Sequence, residues 1–214
     1  MHLGAIEAKR PFLRSDAPVL VTASGLLFAA LAEEGALAEA GVPPPALRRQ
    51  ARAGTLARLF ALRRSAALVA FENLVYPSRG VDPRRLYAEV DEQMLELTRR
   101  TEPVWPAHAS LLLVPFTGGT EILAAMIAAG LREALEREIE GWKDPRAGAW
   151  LRERVMAPGA SVRWEDKIES AAGIQIDMEA LSRELGIRYE GPELGESDEV
   201  SDRAVEEYFK DLES

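Results

Sequence analysis

Cysteine is absent from this 214-residue chain. Its absence excludes disulfides, thiolate metal sites and thiol catalysis together, and it suits a reducing compartment. Histidine is nearly absent, occurring only as His2 and His108. Two histidines so far apart cannot form a His-Glu-x-x-His motif. A hydrolytic zinc needs three protein ligands, an open position for water and a base beside it. Runs of β-branched residues are scarce, which excludes a large sheet. Long apolar runs are missing too. The stretches near Val19 to Ala32 and Ile122 to Leu131 are too short or too interrupted to span a bilayer. No basic segment followed by a long apolar run opens the chain, so no secretory signal is expected and a cytoplasmic location is. A net positive charge is lacking as well. The formal net charge is −9, and such a chain repels phosphates, which argues against a nucleic-acid partner.

What remains is a mixture of Ala, Leu, Glu and Arg, all good helix formers. Hydrophobic residues make up 47% and charged residues 29%, the balance of a globular protein with a real core. The sequence predicts an all-α fold, a multi-helix lobe with two long helices and several short C-terminal ones. Ser15 and Asp16 are candidate caps for a helix over residues 18–34, loosened by Gly35 and Gly41 and stopped by Pro43-Pro44-Pro45. A long helix is expected over 44–75, with Leu56, Leu59, Phe60, Leu62, Ala66, Leu68, Val69 and Leu74 at helical spacing. Asp82-Pro83 opens another as cap and first residue. A further helix is expected from Thr120 to Trp142, then short ones near 145–156, 162–172 and 177–186, the last closed by Gly186. Trp142, Trp150 and Trp164 are expected to seal these short helices against the long ones.

Charge divides the chain in two. Residues 1–187 read as one helical domain, and 188–214 as an acidic tail holding ten Asp/Glu against Arg188, Arg203 and Lys210. Residues 188–200 lack the apolar content to fold alone. Within the tail, Val205, Tyr208, Phe209 and Leu212 make one apolar stripe of a short amphipathic helix. That helix is expected to dock, either on the arginine-bearing helix 48–64, with Arg52 or Arg63 facing Glu206, Glu207 or Asp211, or on another molecule.

From Phe71 to Leu185 the chain carries, in order, Phe71-Glu72, Trp105, Pro115, Gly148-x-Trp150-Leu151, Pro158-Gly159, Trp164 and Gly173. In these landmarks it resembles the C-terminal helical lobe of the zinc metallopeptidases that include thimet oligopeptidase, the bacterial oligoendopeptidases and their angiotensin-converting-enzyme-like relatives. The resemblance covers roughly residues 11–186 and is strongest over 71–173. It implies a helical lobe with a peptide groove, and it also shows what is missing. Met1 to Glu7 resembles the end of the family's zinc motif, with His2 and Gly4, but no second histidine follows. The family's third-ligand glutamate falls near Thr22, a neutral hydroxyl. The family's oxyanion-binding tyrosines fall near Thr117 and Glu121. Threonine is too short there, and a carboxylate repels the developing charge.

The resemblance therefore implies a degenerate, non-catalytic protein with a remnant groove at Trp105, His108, Thr117 and Glu121. For His108 the residues themselves favour a partly buried histidine bonded to backbone near Trp105 over a remnant substrate contact. Gly118-Gly119-Thr120 is a plain helix-start turn, since its spacing matches no phosphate loop. Glu133, Glu136 and Glu140 read as a solvated charged face. The expected partners are a second copy, another protein or a peptide, because Leu26, Leu27, Phe28 and Leu31 lose the cover of a catalytic half. The alternatives are one half of a split zinc oligopeptidase, with metal ligands supplied by another chain, and a truncated product without a role of its own. No cofactor is expected on the chain itself. Elemental analysis of protein purified without chelator should find no stoichiometric zinc, and one tightly held zinc per chain would overturn this expectation.

Overall fold

The computed structural model describes residues 16–78, 80–97, 116–139, 144–171 and 173–188. Among them every regular element is helical. In chain order these are α1 (Pro18–Glu39), α2 (Pro44–Val75), α3 (Pro83–Leu95) and α4 (Thr117–Ile139). Next come α5, which begins as Arg146–Leu151 and widens into π-type turns over Arg152–Met156, and α6, which runs Trp164–Asp166 and continues over Lys167–Ala171. The last is α7 (Met178–Leu185). None of these helices is long and apolar enough to cross a membrane.

The all-α expectation holds. Helix α2 spans 44–75 as its sequence suggests, started by Pro43 and the prolines of its first turn. In α3 the Asp82 side chain accepts the Arg84 N–H, and α7 begins the same way on Asp177 and ends on Gly186 in the left-handed region. Two boundaries differ. Helix α1 runs through Gly35 to Glu39 rather than stopping near residue 34. Helix α4 starts at Thr117 rather than Thr120, so Gly118 and Gly119 lie inside its first turn. A glycine costs a helix only about 1 kcal/mol, too little to end one that gains by packing.

Helix α4 lies at the centre. One side meets α1 and α5 in the largest core, where Leu20, Leu27, Ile127, Leu131, Leu135 and Val155 are almost fully enclosed. Another side meets α7 through Ala125, Ala129, Leu181 and Leu185, joined by half-buried Leu59 and Leu62 of α2. A separate cluster joins α2 to α3, with Phe71 and Tyr87 edge to face at 5.2 Å. Trp150 is buried and Trp164 packs against the main core, as expected for helix seals. Trp142 lies outside the described residues.

Three expectations are corrected. Leu56 and Phe60, expected on the packed face of α2, are 60% and 49% exposed, because nothing described packs on that part of the helix. Leu27 is buried and Phe28 half-buried against the core, so these two do not lack cover; Leu26 is exposed, and the Leu31 side chain lies outside the described ones. Asp16 was expected as a helix cap. Its carboxylate instead accepts two bonds from Lys167 Nζ, at 2.7 and 2.8 Å, and one from the Ala17 N–H.

The Asp16–Lys167 pair is 2% and 1% exposed at its side chains and ties the start of α1 to α6. Removing one partner of a buried pair strands the other charge. Lys167→Met is therefore expected to lose about 3–5 kcal/mol in urea unfolding. Asp16→Asn combined with Lys167→Met should recover most of that loss. Equal losses in the two proteins would show that packing, not charge, governs the site.

Candidate functional site

The sequence points to the start of α4, where Thr117 and Glu121 stand. The structure builds this place from α2. Ser65 and Glu72, two turns apart on α2, are both buried, at 5% and 1% exposure. Glu72 sits beside Phe71, which packs into the α2–α3 core, so its carboxylate is drawn inside with the apolar face. Its Oε1 accepts the backbone N–H of Phe116 at 2.8 Å, immediately before α4 begins. Its Oε2 is shielded from water and has no hydrogen-bond partner. A glutamate reaching the residue before a helix is the reciprocal half of a capping box, here supplied by a distant segment.

Phe116 has φ 62°, in the left-handed region. A non-glycine residue held there costs about 1–2 kcal/mol, so the Glu72 bond and the ring contact of Phe116 with Tyr76 at 5.6 Å must hold the turn. One residue on, α4 lies directly against α2. A Cβ on Gly118 would stand 2.6 Å from the Ser65 carbonyl oxygen, so only glycine fits. The Ser65 hydroxyl donates to Glu121 Oε2 at 2.5 Å and closes the contact.

Thr117 and Glu121 are thus brought together with Ser65, Glu72 and Phe116. Thr117 is half-buried in the first turn, and Glu121 acts as an acceptor that fastens α4 to α2. A serine bonded to a carboxylate is half of a nucleophilic arrangement. Ser65 is nevertheless enclosed, and no described residue is a histidine that would relay its proton. At the rim, Tyr76 and Phe116 are 54% and 46% exposed, so the site presents an aromatic pair to solvent next to buried Glu72. Trp105 and His108 lie outside the described residues, as do His2 and the Val205, Tyr208, Phe209 and Leu212 stripe.

Away from this place the charged groups form ties between helices. Glu133, expected on a solvated face, is gripped by Arg183 of α7 at 2.8 and 2.9 Å. Glu136 is exposed, and Glu140 lies outside the described residues. The Trp150 indole N–H donates to Glu138 at 2.9 Å and holds its carboxyl below the usual carboxylate range, with Arg154 adding to the effect. Arg154 also lies over the Trp150 ring at 5.1 Å. Among the described residues, no three His, Cys, Asp or Glu side chains gather as metal ligands would.

Sequence reasoning used Glu72 only as a landmark and passed over Ser65. The available signal was a lone carboxylate within the apolar face of α2, next to Phe71. No family model matches the sequence, and no curated protein matches it either.

Glu72→Ala leaves the Phe116 N–H without its acceptor and opens a hole, and is expected to lose about 2–4 kcal/mol. Glu72→Gln keeps an acceptor for Phe116 and removes a buried charge. It should stay within about 1 kcal/mol of the parent protein. Chemical denaturation of both variants checks the pair. A glutamine variant as unstable as the alanine one would show that the negative charge itself is required.

Proposed function

We propose that the chain is a non-catalytic, metallopeptidase-like helical protein that binds a peptide or a protein partner. The observation that carries this reading is the exposed pair Tyr76 and Phe116, held at the start of α4 by the bond from the Phe116 N–H to buried Glu72. Exposed aromatics on a rigid base favour binding, because large rings give up contact area at little entropic cost. The polar groups nearby serve the fold. By the resemblance, Glu121 falls near an oxyanion-binding position that calls for a donor; in the fold it accepts a bond from Ser65. Short, partly apolar peptides are the ligand class that such a rim suits. The split-peptidase alternative requires metal ligands from another chain. The resemblance in the landmark residues favours it, while Thr117 and Glu121 in the oxyanion positions oppose it.

Incubating the purified chain with a pool of short peptides, followed by mass spectrometry, tests this. Peptides should be retained intact, with or without added zinc. Phe116→Gly with Tyr76→Ser should abolish retention while keeping the fold, since glycine accepts the Phe116 conformation without strain. Zinc-dependent shortening of the peptides by the chain alone would overturn the proposal. Shortening only after a second polypeptide is added would establish the split enzyme instead.

A further inference from the structure

The first half of α2 is its least covered part. No residue between Pro44 and Arg64 is buried, whereas Ser65, Ala67, Phe71 and Glu72 beyond it are. At 3.6 residues per turn, Arg49, Arg52, Leu56 and Phe60 fall within about a quarter of the helix circumference. This stripe prolongs the seam in which Ala67 and Phe71 meet α3. Helix α3 stops at Leu95, and Glu96 just beyond it reaches back to Arg63 at 2.9 Å, marking where the cover ends. Past that point Leu56 and Phe60 face water, and among the described residues Arg49 and Arg52 have no ion-pair or hydrogen-bond partner.

We propose that residues 201–212 of this same chain occupy the stripe as a docked helix. Charge selects this occupant. A second copy of α2 would set arginines against arginines, whereas 201–212 offers Asp202, Glu206, Glu207 and Asp211. Its Val205, Tyr208, Phe209 and Leu212 recur at helical spacing and match Leu56 and Phe60 in character. Geometry agrees. Helix α7, the last described element, is fastened to α2 by the Glu184–Arg58 ion pair and by packing with Leu59 and Leu62. The chain therefore leaves α7 at the level of the stripe along α2 but on the side that carries Arg58 and Leu62, so the connection has to pass around the helix. Residues 188–201 can reach up to about 40 Å, more than enough to pass around the helix. A helix over 201–212 is about 17 Å long, close to the distance from Arg49 to Phe60. The short tether replaces a weak bimolecular contact by an intramolecular one of millimolar effective concentration. Arg63, an earlier candidate contact, is already engaged by Glu96, which leaves Arg49 and Arg52 to meet Glu206 and Glu207.

Amide hydrogen exchange on the full chain tests the docking. Amides of 201–212 should exchange at least about tenfold more slowly than in a free peptide of the same residues. Leu56→Asp with Phe60→Asp should remove that protection, and so should Arg49→Glu with Arg52→Glu. All four positions are exposed, so circular dichroism should show the fold intact. Adding Glu206→Arg and Glu207→Arg to the arginine variant should restore the protection. Exchange equal to that of the free peptide would overturn the proposal, as would protection that survives both variants. Protection that rises with protein concentration would assign the segment to a second copy and overturn docking within one chain. These outcomes are separate from the Tyr76–Phe116 peptide test, because the two surfaces share no residue.

Discussion

The closeness of α4 to its neighbours is the constraint on which the rest depends. A Cβ on Gly130 would stand 2.5 Å from Ile174 Cγ2, and one on Gly118 would stand 2.6 Å from the Ser65 carbonyl. Along its length α4 also buries Ala124, Ala125, Ala128, Ala129 and Ala134. Small side chains on several faces allow α1, α2 and α7 to approach one helix together. Two glycines weaken an isolated helix by about 1 kcal/mol each, so close packing must offset that loss. The position of α4 then fixes the candidate site, because Phe116 immediately precedes it, Thr117 and Glu121 lie in its first turns and its Gly118 rests on Ser65.

Close packing locates the helices, and a few charged ties fix their register. Asp16–Lys167 joins α1 to α6, Glu133–Arg183 joins α4 to α7, and Glu184 is shared by Arg58 of α2 and Arg132 of α4. The ties differ in kind. Asp16 and Lys167 are enclosed, so each depends on the other to offset its lost hydration. Arg183 is exposed, and its bond to Glu133 adds orientation more than stability. Glu72 stands apart, since one oxygen is bonded and the other is not. A buried, half-satisfied carboxylate is retained at a cost in stability. Here its return is the turn at Phe116, which otherwise strains against its left-handed backbone.

Local signals were legible where the responsible chemistry is local. Asp82-Pro83, Pro43 to Pro45 and Gly186 each determine a helix end through a neighbouring backbone group, and each end lies where the sequence places it. Illegible features depend on residues distant in sequence. The start of α4 is set by Glu72 and Ser65, which lie on another helix, so Gly118 looked like a loop residue when its small size was serving a helix contact. Lys167 looks like any surface lysine until Asp16 is brought beside it. The exposure of Leu56 and Phe60 was equally hidden. Helical periodicity shows which residues share a face but not whether another element reaches that face.

That last failure bears on how the chain works. Along α2 the apolar and charged pattern is nearly continuous, yet its two halves have different surroundings. From Ser65 onward α3 and α4 cover it; before Ser65, among the described residues, α4 and α7 approach at Arg58, Leu59 and Leu62, on another face. In that first half Leu56 and Phe60 meet water, and Arg49 and Arg52 have no carboxylate partner among the described residues. The missing carboxylates and the missing apolar cover both occur in residues 201–212, in alternation and at helical spacing. Two deficits met by one segment are a stronger argument than either alone, since charge would attract any acidic chain and hydrophobicity any apolar one. The proposed docking of 201–212 rests on their combination, together with a tether that begins near Arg58.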